Sequence, residues 1–135
     1  MVKRDGIAGD TAIKGLRVGV RRGTIAETYA KQYGTPGPAL AFESNEELYA
    51  SLAAGELDAI IDDSAIARYF CQSVAGLQFA GVLEGTEGAY AIMVRKGNAE
   101  LQAEINRALA DMEKDGTQQR LLSKWFGDNQ VEEGR

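Results

Sequence analysis

Residues 57–63 read LDAIIDD, a short apolar run that ends in two adjacent carboxylates. Three comparable runs occur elsewhere: RVGV at 17–20, ALAF at 39–42 and LQFAGV at 77–82. Longer stretches with helically spaced apolar residues separate these runs. Such alternation is typical of βαβ units on a parallel sheet. We therefore predict a three-layer α/β fold with strands at 17–20, 39–42, 57–61, 77–82 and 90–95.

Capping residues mark where the predicted helices begin. Thr24 followed by Glu27, and Ser44 followed by Glu47, have the spacing of capping boxes, in which two side chains satisfy free backbone N–H groups at a helix start. A third helix is predicted to begin at Asp62 or Asp63 and to end at Gly76.

After residue 97 the pattern changes to two consecutive helices. Asn98 is a predicted cap for the first, and DGT at 115–117 separates it from the second. Both helices have an apolar face, formed by Leu101, Ile105, Leu109, Met112, Leu121, Leu122, Trp125 and Phe126. We predict a lobe at 1–97, a helical tail at 98–127 and a disordered end at 128–135.

Composition excludes several classes of function. The chain has 135 residues and a formal net charge of -5, whereas nucleic-acid binding needs clustered Lys and Arg. It has no histidine and a single cysteine, Cys71, so we expect no disulfide, no conventional zinc or transition-metal site and no Ser-His or Cys-His catalytic pair. We expect no cofactor. The start of the chain is charged from Lys3 and lacks the apolar core of a signal peptide.

Six motifs follow one another along the chain. They are KGLRVGV at 14–20, RGT at 22–24, LDAIIDD at 57–63, VRKGN at 94–98, DGT at 115–117 and KWFG at 124–127. Together they resemble the bacterial extracellular solute-binding proteins, family 3, that serve amino-acid ABC transporters. The resemblance implies a type II periplasmic-binding-protein-like fold, in which two α/β lobes joined by two crossing strands enclose an amino acid.

The same resemblance implies that this chain is the second lobe with the C-terminal helices. Residues 1–3 look like the end of the first crossing strand and 90–95 like the returning one. Most of the first lobe would then be absent, through excision or a truncated gene. The implied location is periplasmic or otherwise extracytoplasmic, and the implied partner of an intact protein is a membrane permease.

Two positions are predicted to bind the charged groups of an amino acid. Amides at a helix start point outward and carry the positive end of the dipole, so Gly23, Thr24 and Ile25 can receive a carboxylate. Asp63 follows a strand at the edge where open α/β sheets bind ligands. The resemblance implies that the Gly-Thr segment contacts the ligand's carboxylate and that Asp63 pairs with its ammonium. Thr24 and Asp63 could instead be helix caps.

Arg21 and Asp62 complete the set of candidate binding residues. The resemblance implies that Arg21 matches a variable position of the family that can touch the ligand's side chain. An exposed arginine after a strand is, however, usually only solvated. Asp62 would point away from Asp63 if it kept strand geometry. We assign no catalytic residue.

Two further functions compete with amino-acid binding in transport. The same bilobal fold hosts cyclohexadienyl-type dehydratases, and Glu27, Glu43, Asp62 and Asp63 offer carboxylates for such chemistry. It also occurs in sensory modules.

For the binding module we expect a dissociation constant in the millimolar range or weaker, which corresponds to a binding free energy of about 4 kcal/mol or less. We also expect a homodimer through the tail helices, because their apolar faces lack the first lobe on which intact relatives pack them.

Overall fold

The computed structural model describes residues 2–4, 13, 15–32, 39–83, 85–86 and 88–127. The chain divides into two compact units, residues 1–87 and residues 88–135. This division lies ten residues before the boundary placed at 97 from the sequence, and that domain assignment stays a prediction. Within the described ranges, no helix has both the length and the apolar character needed to cross a membrane.

The first unit contains five strands and three helices among its described residues. They are β1 (Val2–Arg4), β2 (Val18–Arg21), α1 (Ile25–Gln32), β3 (Leu40–Phe42), α2 (Asn45–Ala54), β4 (Ala59–Ile61), α3 (Ser64–Ser73) and β5 (Leu77–Phe79). The strands form one sheet in the order β3-β2-β4-β1-β5. The strand β2 is parallel to β3 and β4, whereas β1 lies between β4 and β5 and is antiparallel to both. The predicted α/β fold with a parallel core is confirmed.

Helices cover both faces of this sheet because side chains alternate along each strand. On one face, Val18 and Val20 of β2 form a buried cluster with Ala26 and Ala30 of α1. On the other face, Ile60 of β4 belongs to a second cluster. The other members of that cluster are Leu48, Tyr49, Leu52, Leu57, Ala67 and Leu77. The unit therefore has the three predicted layers, with α1 on one side and α2 and α3 on the other.

The sheet approaches α2 closely at Gly19. A Cβ at this position would lie 2.5 Å from Leu57 Cδ1 and 2.6 Å from Leu48 Cδ1. Both leucines are fully buried. Glycine in β2 therefore makes room for the second core cluster, which holds α2 against the sheet.

A contact between Arg17 and Asp58 aligns the starts of β2 and β4. Asp58 Oδ2 accepts hydrogen bonds from the backbone N–H of Arg17 at 2.9 Å and from its Nε at 3.0 Å, while Oδ1 accepts from Nη2 at 2.7 Å. The backbone N–H of Asp58 donates to the Arg17 carbonyl at 2.9 Å. With Val20 opposite Ile61, the two parallel strands also end side by side.

The second unit contains α4 (Ala99–Lys114) and α5 (Thr117–Phe126). Asn98 caps α4 as predicted, since its Oδ1 accepts a hydrogen bond from the N–H of Leu101 at 3.3 Å. The predicted break at 115–117 is also confirmed, and Gly116 there has a φ of 74°. Neither helix has a buried residue. The predicted disordered end at 128–135 lies outside the described residues.

The prediction of a strand at Tyr90–Arg95 was wrong, because residues 88–95 form no regular secondary structure. A strand needs a neighbouring backbone with free N–H and C=O groups. The described regular elements of its own unit are helices, which use those groups internally. An apolar run alone therefore did not establish a strand here.

Candidate functional site

The candidate site lies at the edge where the three parallel strands end. The strands β3, β2 and β4 are consecutive neighbours, so the residues that follow them emerge along one edge of the sheet. We call this the carboxyl edge and define it as residues 21–25, 43–44 and 62–63. All six predicted binding residues belong to it: Arg21, Gly23, Thr24, Ile25, Asp62 and Asp63. Ligands of open α/β sheets bind in such places.

The turn from β2 into α1 differs from the predicted capping box. The hydroxyl of Thr24 donates to the carbonyl of Arg21 at 2.8 Å, whereas a box would have it accept from the N–H of Glu27. Glu27 Oε2 accepts from the N–H of Gly23 at 3.1 Å, one residue earlier than the box requires. Gly23 has a φ of 73°, and this left-handed turn brings its N–H to the first turn of α1.

Glu27 changes what the Gly23 segment can offer to a ligand. The pKa of the Glu27 carboxyl is lowered, mainly by the hydrogen bond that it accepts from Gly23 and secondly by its contact with Lys31. The Lys31 Nζ lies 3.4 Å from Glu27 Oε1. The N–H of Gly23, which was predicted to donate to the ligand's carboxylate, therefore already donates to the Glu27 carboxylate. A ligand here would use the N–H groups after Gly23, or would displace Glu27 from Gly23 N–H and turn the Thr24 hydroxyl away from the Arg21 carbonyl.

Asp63 occupies the N-cap position of α3, but its side chain makes no capping hydrogen bond. The residue is exposed. Capping, the alternative role considered for Asp63, therefore does not occupy its carboxylate. The helix begins at Ser64, in agreement with the start predicted at Asp62 or Asp63, and it ends at Ser73, before the predicted stop.

Asp62 is half-buried and faces inward. Its Oδ2 accepts a hydrogen bond from the hydroxyl of Tyr49 at 3.2 Å, and its Oδ1 accepts from the N–H of Asp63 at 2.9 Å. Burial raises the pKa of Asp62 above its ordinary value of 3.8, and the two hydrogen bonds oppose this effect. Burial, with Asp62 beside it, likewise raises the pKa of Tyr49.

Tyr49 is the residue at this site that the sequence analysis missed. It lies on the buried side of α2, and its ring stacks on Phe70 with centroids 4.0 Å apart and planes inclined by 8°. A signal was available, since a buried tyrosine normally finds a partner for its hydroxyl. The partner, Asp62, is 13 residues away in the chain.

The remaining side chains set the charge and polarity of the carboxyl edge. Arg22 is paired with Glu43, whose Oε1 lies 2.6 Å from Arg22 Nε. Arg21 is exposed at the end of β2. Ile25, the first residue of α1, is 61% exposed. A ligand would therefore meet one cation, an ion pair and an apolar surface beside Asp63.

A metal site was not expected, and the described part of the chain contains no group of three or more Cys, Asp or Glu side chains able to hold a metal ion. Cys71 is half-buried and packs at the border of the second core cluster. Burial raises the pKa of its thiol.

Comparison with known proteins places these observations in a family. The family model for bacterial extracellular solute-binding proteins, family 3, matches residues 8–128. The lysine/arginine/ornithine-binding periplasmic protein of Escherichia coli (strain K12) is 33% identical over 127 residues, which cover 87% of this chain and 49% of the relative. The chain spans about half the length of the curated relatives that it matches.

Solved structures agree with this result. An ancestral arginine-binding protein bound to glutamine has a TM-score of 0.71 and 33% identity, covering 93% of this chain and 58% of that one. The ancestral amino-acid-binding protein AncCDT-1, described as a precursor of cyclohexadienyl dehydratase, has a TM-score of 0.62 and 28% identity, covering 93% and 58%. The type II periplasmic-binding-protein-like fold is thereby confirmed. The chain belongs to the bacterial extracellular solute-binding proteins, family 3.

Proposed function

We propose that the chain is an amino-acid-binding module of an ABC-type transport system. In this proposal Asp63 accepts the ligand's ammonium, and the Gly23–Ile25 segment receives its carboxylate. The carboxylate displaces Glu27 from Gly23 N–H, and the Thr24 hydroxyl turns from the Arg21 carbonyl to donate to it. The observation that carries the proposal is the exposed Asp63 carboxylate, which makes no capping bond and follows the strand next to the one that leads into α1. The names of the relatives, which refer to amino-acid binding, support it.

The charges of the carboxyl edge are those that a zwitterion requires. The start of α1 carries about half a positive charge from its aligned peptide groups. The Glu27 carboxylate opposes this charge until a ligand displaces it from Gly23 N–H. Asp63 supplies a full negative charge at the end of the neighbouring strand. Arg21 and Ile25 flank this pair and are available for the ligand's side chain.

The names of the relatives support a proposal about the partner and the location of an intact protein. We infer an extracytoplasmic location and a membrane permease as partner, because the curated relatives are named as periplasmic binding proteins. For this chain we expect weak binding, with a dissociation constant in the millimolar range or weaker. This corresponds to a binding free energy of about 4 kcal/mol or less. The candidate contacts all come from one lobe.

Heteronuclear NMR of the chain, titrated with each standard amino acid to tens of millimolar, tests this function. We expect at least one amino acid to shift backbone amides in a saturable manner. The analogue of that amino acid without the α-amino group should bind much more weakly, because it has no ammonium to pair with Asp63. Amide shifts that fail to saturate with every amino acid, or equal binding of the deaminated analogue, would refute the proposal.

A dehydratase-like enzyme is the alternative, because AncCDT-1, itself an amino-acid-binding protein, is described as a precursor of cyclohexadienyl dehydratase. Asp62, whose pKa is raised by burial, and Asp63 are the carboxyl groups that could transfer protons at the same edge. Incubation of the chain with prephenate or arogenate tests this alternative, and the binding proposal expects no conversion of either compound.

We also propose that the chain forms a homodimer through α4 and α5. Four large apolar residues on these helices are exposed by between 41% and 49%: Leu101, Leu109, Leu121 and Trp125. Monomers rarely expose a large contiguous apolar patch, and we propose that these residues are covered by a second copy. Light scattering coupled to size-exclusion chromatography at micromolar concentration should give twice the mass of one chain, 14.5 kDa. A single-chain mass at every concentration would contradict the dimer.

A further inference from the structure

We propose that Asp62 is a positioning residue, which joins Tyr49 of α2 to the backbone N–H of Asp63 and thereby fixes the turn that presents the Asp63 carboxylate. The inference rests on the proposed function, because Asp63 is the residue to which that function assigns the ligand's ammonium. It gives Asp62 a role different from the ligand contact predicted from the sequence.

The two neighbouring carboxylates have different surroundings. Both oxygens of Asp62 accept hydrogen bonds from the protein, one from Asp63 N–H at 2.9 Å and one from the Tyr49 hydroxyl at 3.2 Å. Asp63 is exposed and its side chain makes no capping bond. The geometry therefore separates a residue that holds the turn from a residue that faces solvent.

Tyr49 is a rigid attachment point for Asp62. Its side chain is 1% exposed and its ring is stacked on Phe70 of α3. The helix α2 is itself fixed at its start, where Ser44 Oγ accepts from the N–H of Glu47 at 3.2 Å. Binding groups are held accurately when packing and supporting hydrogen bonds restrict the residues behind them. Asp62 connects the backbone N–H of Asp63 to Tyr49, whose packing provides this support.

The hydrogen-bond pattern predicts which substitutions are tolerated. Asparagine can keep both contacts of Asp62, since its carbonyl oxygen can accept from Asp63 N–H and its amide can donate to the Tyr49 oxygen. Alanine keeps neither. A residue that contacts the ligand by charge would instead lose its effect in both variants.

The first test compares ligand affinity in Asp62→Asn and Asp62→Ala, measured by NMR titration with the amino acid that the wild-type chain binds. We expect Asp62→Ala to weaken binding about tenfold and Asp62→Asn to stay within about threefold of wild type. Equal losses in the two variants would overturn the positioning role.

Tyr49→Phe provides an independent variant if Asp62→Ala does not fold. It removes the hydroxyl that holds Asp62 and retains the ring. We expect a several-fold loss of affinity, while Tyr69→Phe, an exposed tyrosine on α3, should have no effect. Wild-type affinity in Tyr49→Phe would count against the proposal.

A ligand-free measurement separates this inference from the proposed function. The measurement is made in Asp63→Asn, where residue 63 has no carboxyl of its own. The amide proton of residue 63 should then change its chemical shift as Asp62 titrates, with a midpoint above 3.8 because burial raises the pKa of Asp62. The change should disappear when Asp62→Asn is added to that variant. The same titration in the double variant would overturn the inference, whether or not the chain binds an amino acid.

Discussion

Asp63→Asn should reduce the affinity of the chain for its amino acid by about tenfold to a hundredfold. The substitution keeps the shape of the side chain and removes the charge that the proposal pairs with the ligand's ammonium. Hydrogen bonds to charged groups contribute about 1.5–3 kcal/mol, which corresponds to this range of affinity. NMR titration of the wild type and the variant gives the two dissociation constants directly.

Two controls make the Asp63 result specific. Asp111→Asn is the same chemical change at an exposed position on α4, and it should leave affinity unchanged. Asp63→Asn should also unfold at the wild-type temperature, because the Asp63 side chain makes no capping bond that could be lost. Wild-type affinity in the variant would show that Asp63 does not bind the ammonium.

Leu52→Ala should lower the free energy of unfolding of the first unit by about 2–5 kcal/mol. Leu52 is fully buried in the cluster that packs α2 against the sheet. The substitution removes buried methyl groups and leaves a cavity, because neighbours such as Leu48 and Leu57 relax only in part. Urea denaturation followed by the far-ultraviolet signal measures the loss.

Leu40→Ala is the matched control for Leu52, because Leu40 lies in the same unit and is 51% exposed. It should cost less than about 1 kcal/mol, as substitutions outside the core usually do. Equal losses in the two variants would mean that the core around α2 is not packed as described.

The fold could be predicted where the local sequence carries the information. Apolar runs such as AII at 59–61 form strands because both of their faces are buried. Ser44 and Asn98 cap their helices as predicted, since each side chain reaches an N–H only three residues ahead. Gly116 separates α4 from α5 because glycine adopts a left-handed backbone at low cost.

Long-range pairing could not be predicted in the same way. The three residues of Val2–Arg4 enter the middle of the sheet, antiparallel to strands 55 or more positions away, and no local pattern records this. The opposite error occurred at Tyr90–Arg95, where the apolar run has the composition of a strand without regular pairing. In both cases the partner, rather than the segment, determines the structure.

The candidate site shows the same limit. Asp63 could be predicted because it directly follows a buried strand, although its role as an ammonium acceptor stays a proposal. The capping box at Thr24 and Glu27 was wrong because the left-handed turn at Gly23 redirects the donors. The hydrogen bond between Tyr49 and Asp62 depends on how α2 packs against the end of β4. No local sequence pattern predicts this packing.

We propose that one amino acid binds at the carboxyl edge, at the starts of α1 and α3. The amide shifts during an NMR titration with the amino acid selected above locate its binding site. The largest saturable shifts should occur at Gly23, Thr24, Ile25 and Asp63, with none in α4 or α5. Saturable shifts concentrated in residues 88–127, with the carboxyl edge unchanged, would show that the binding site lies elsewhere.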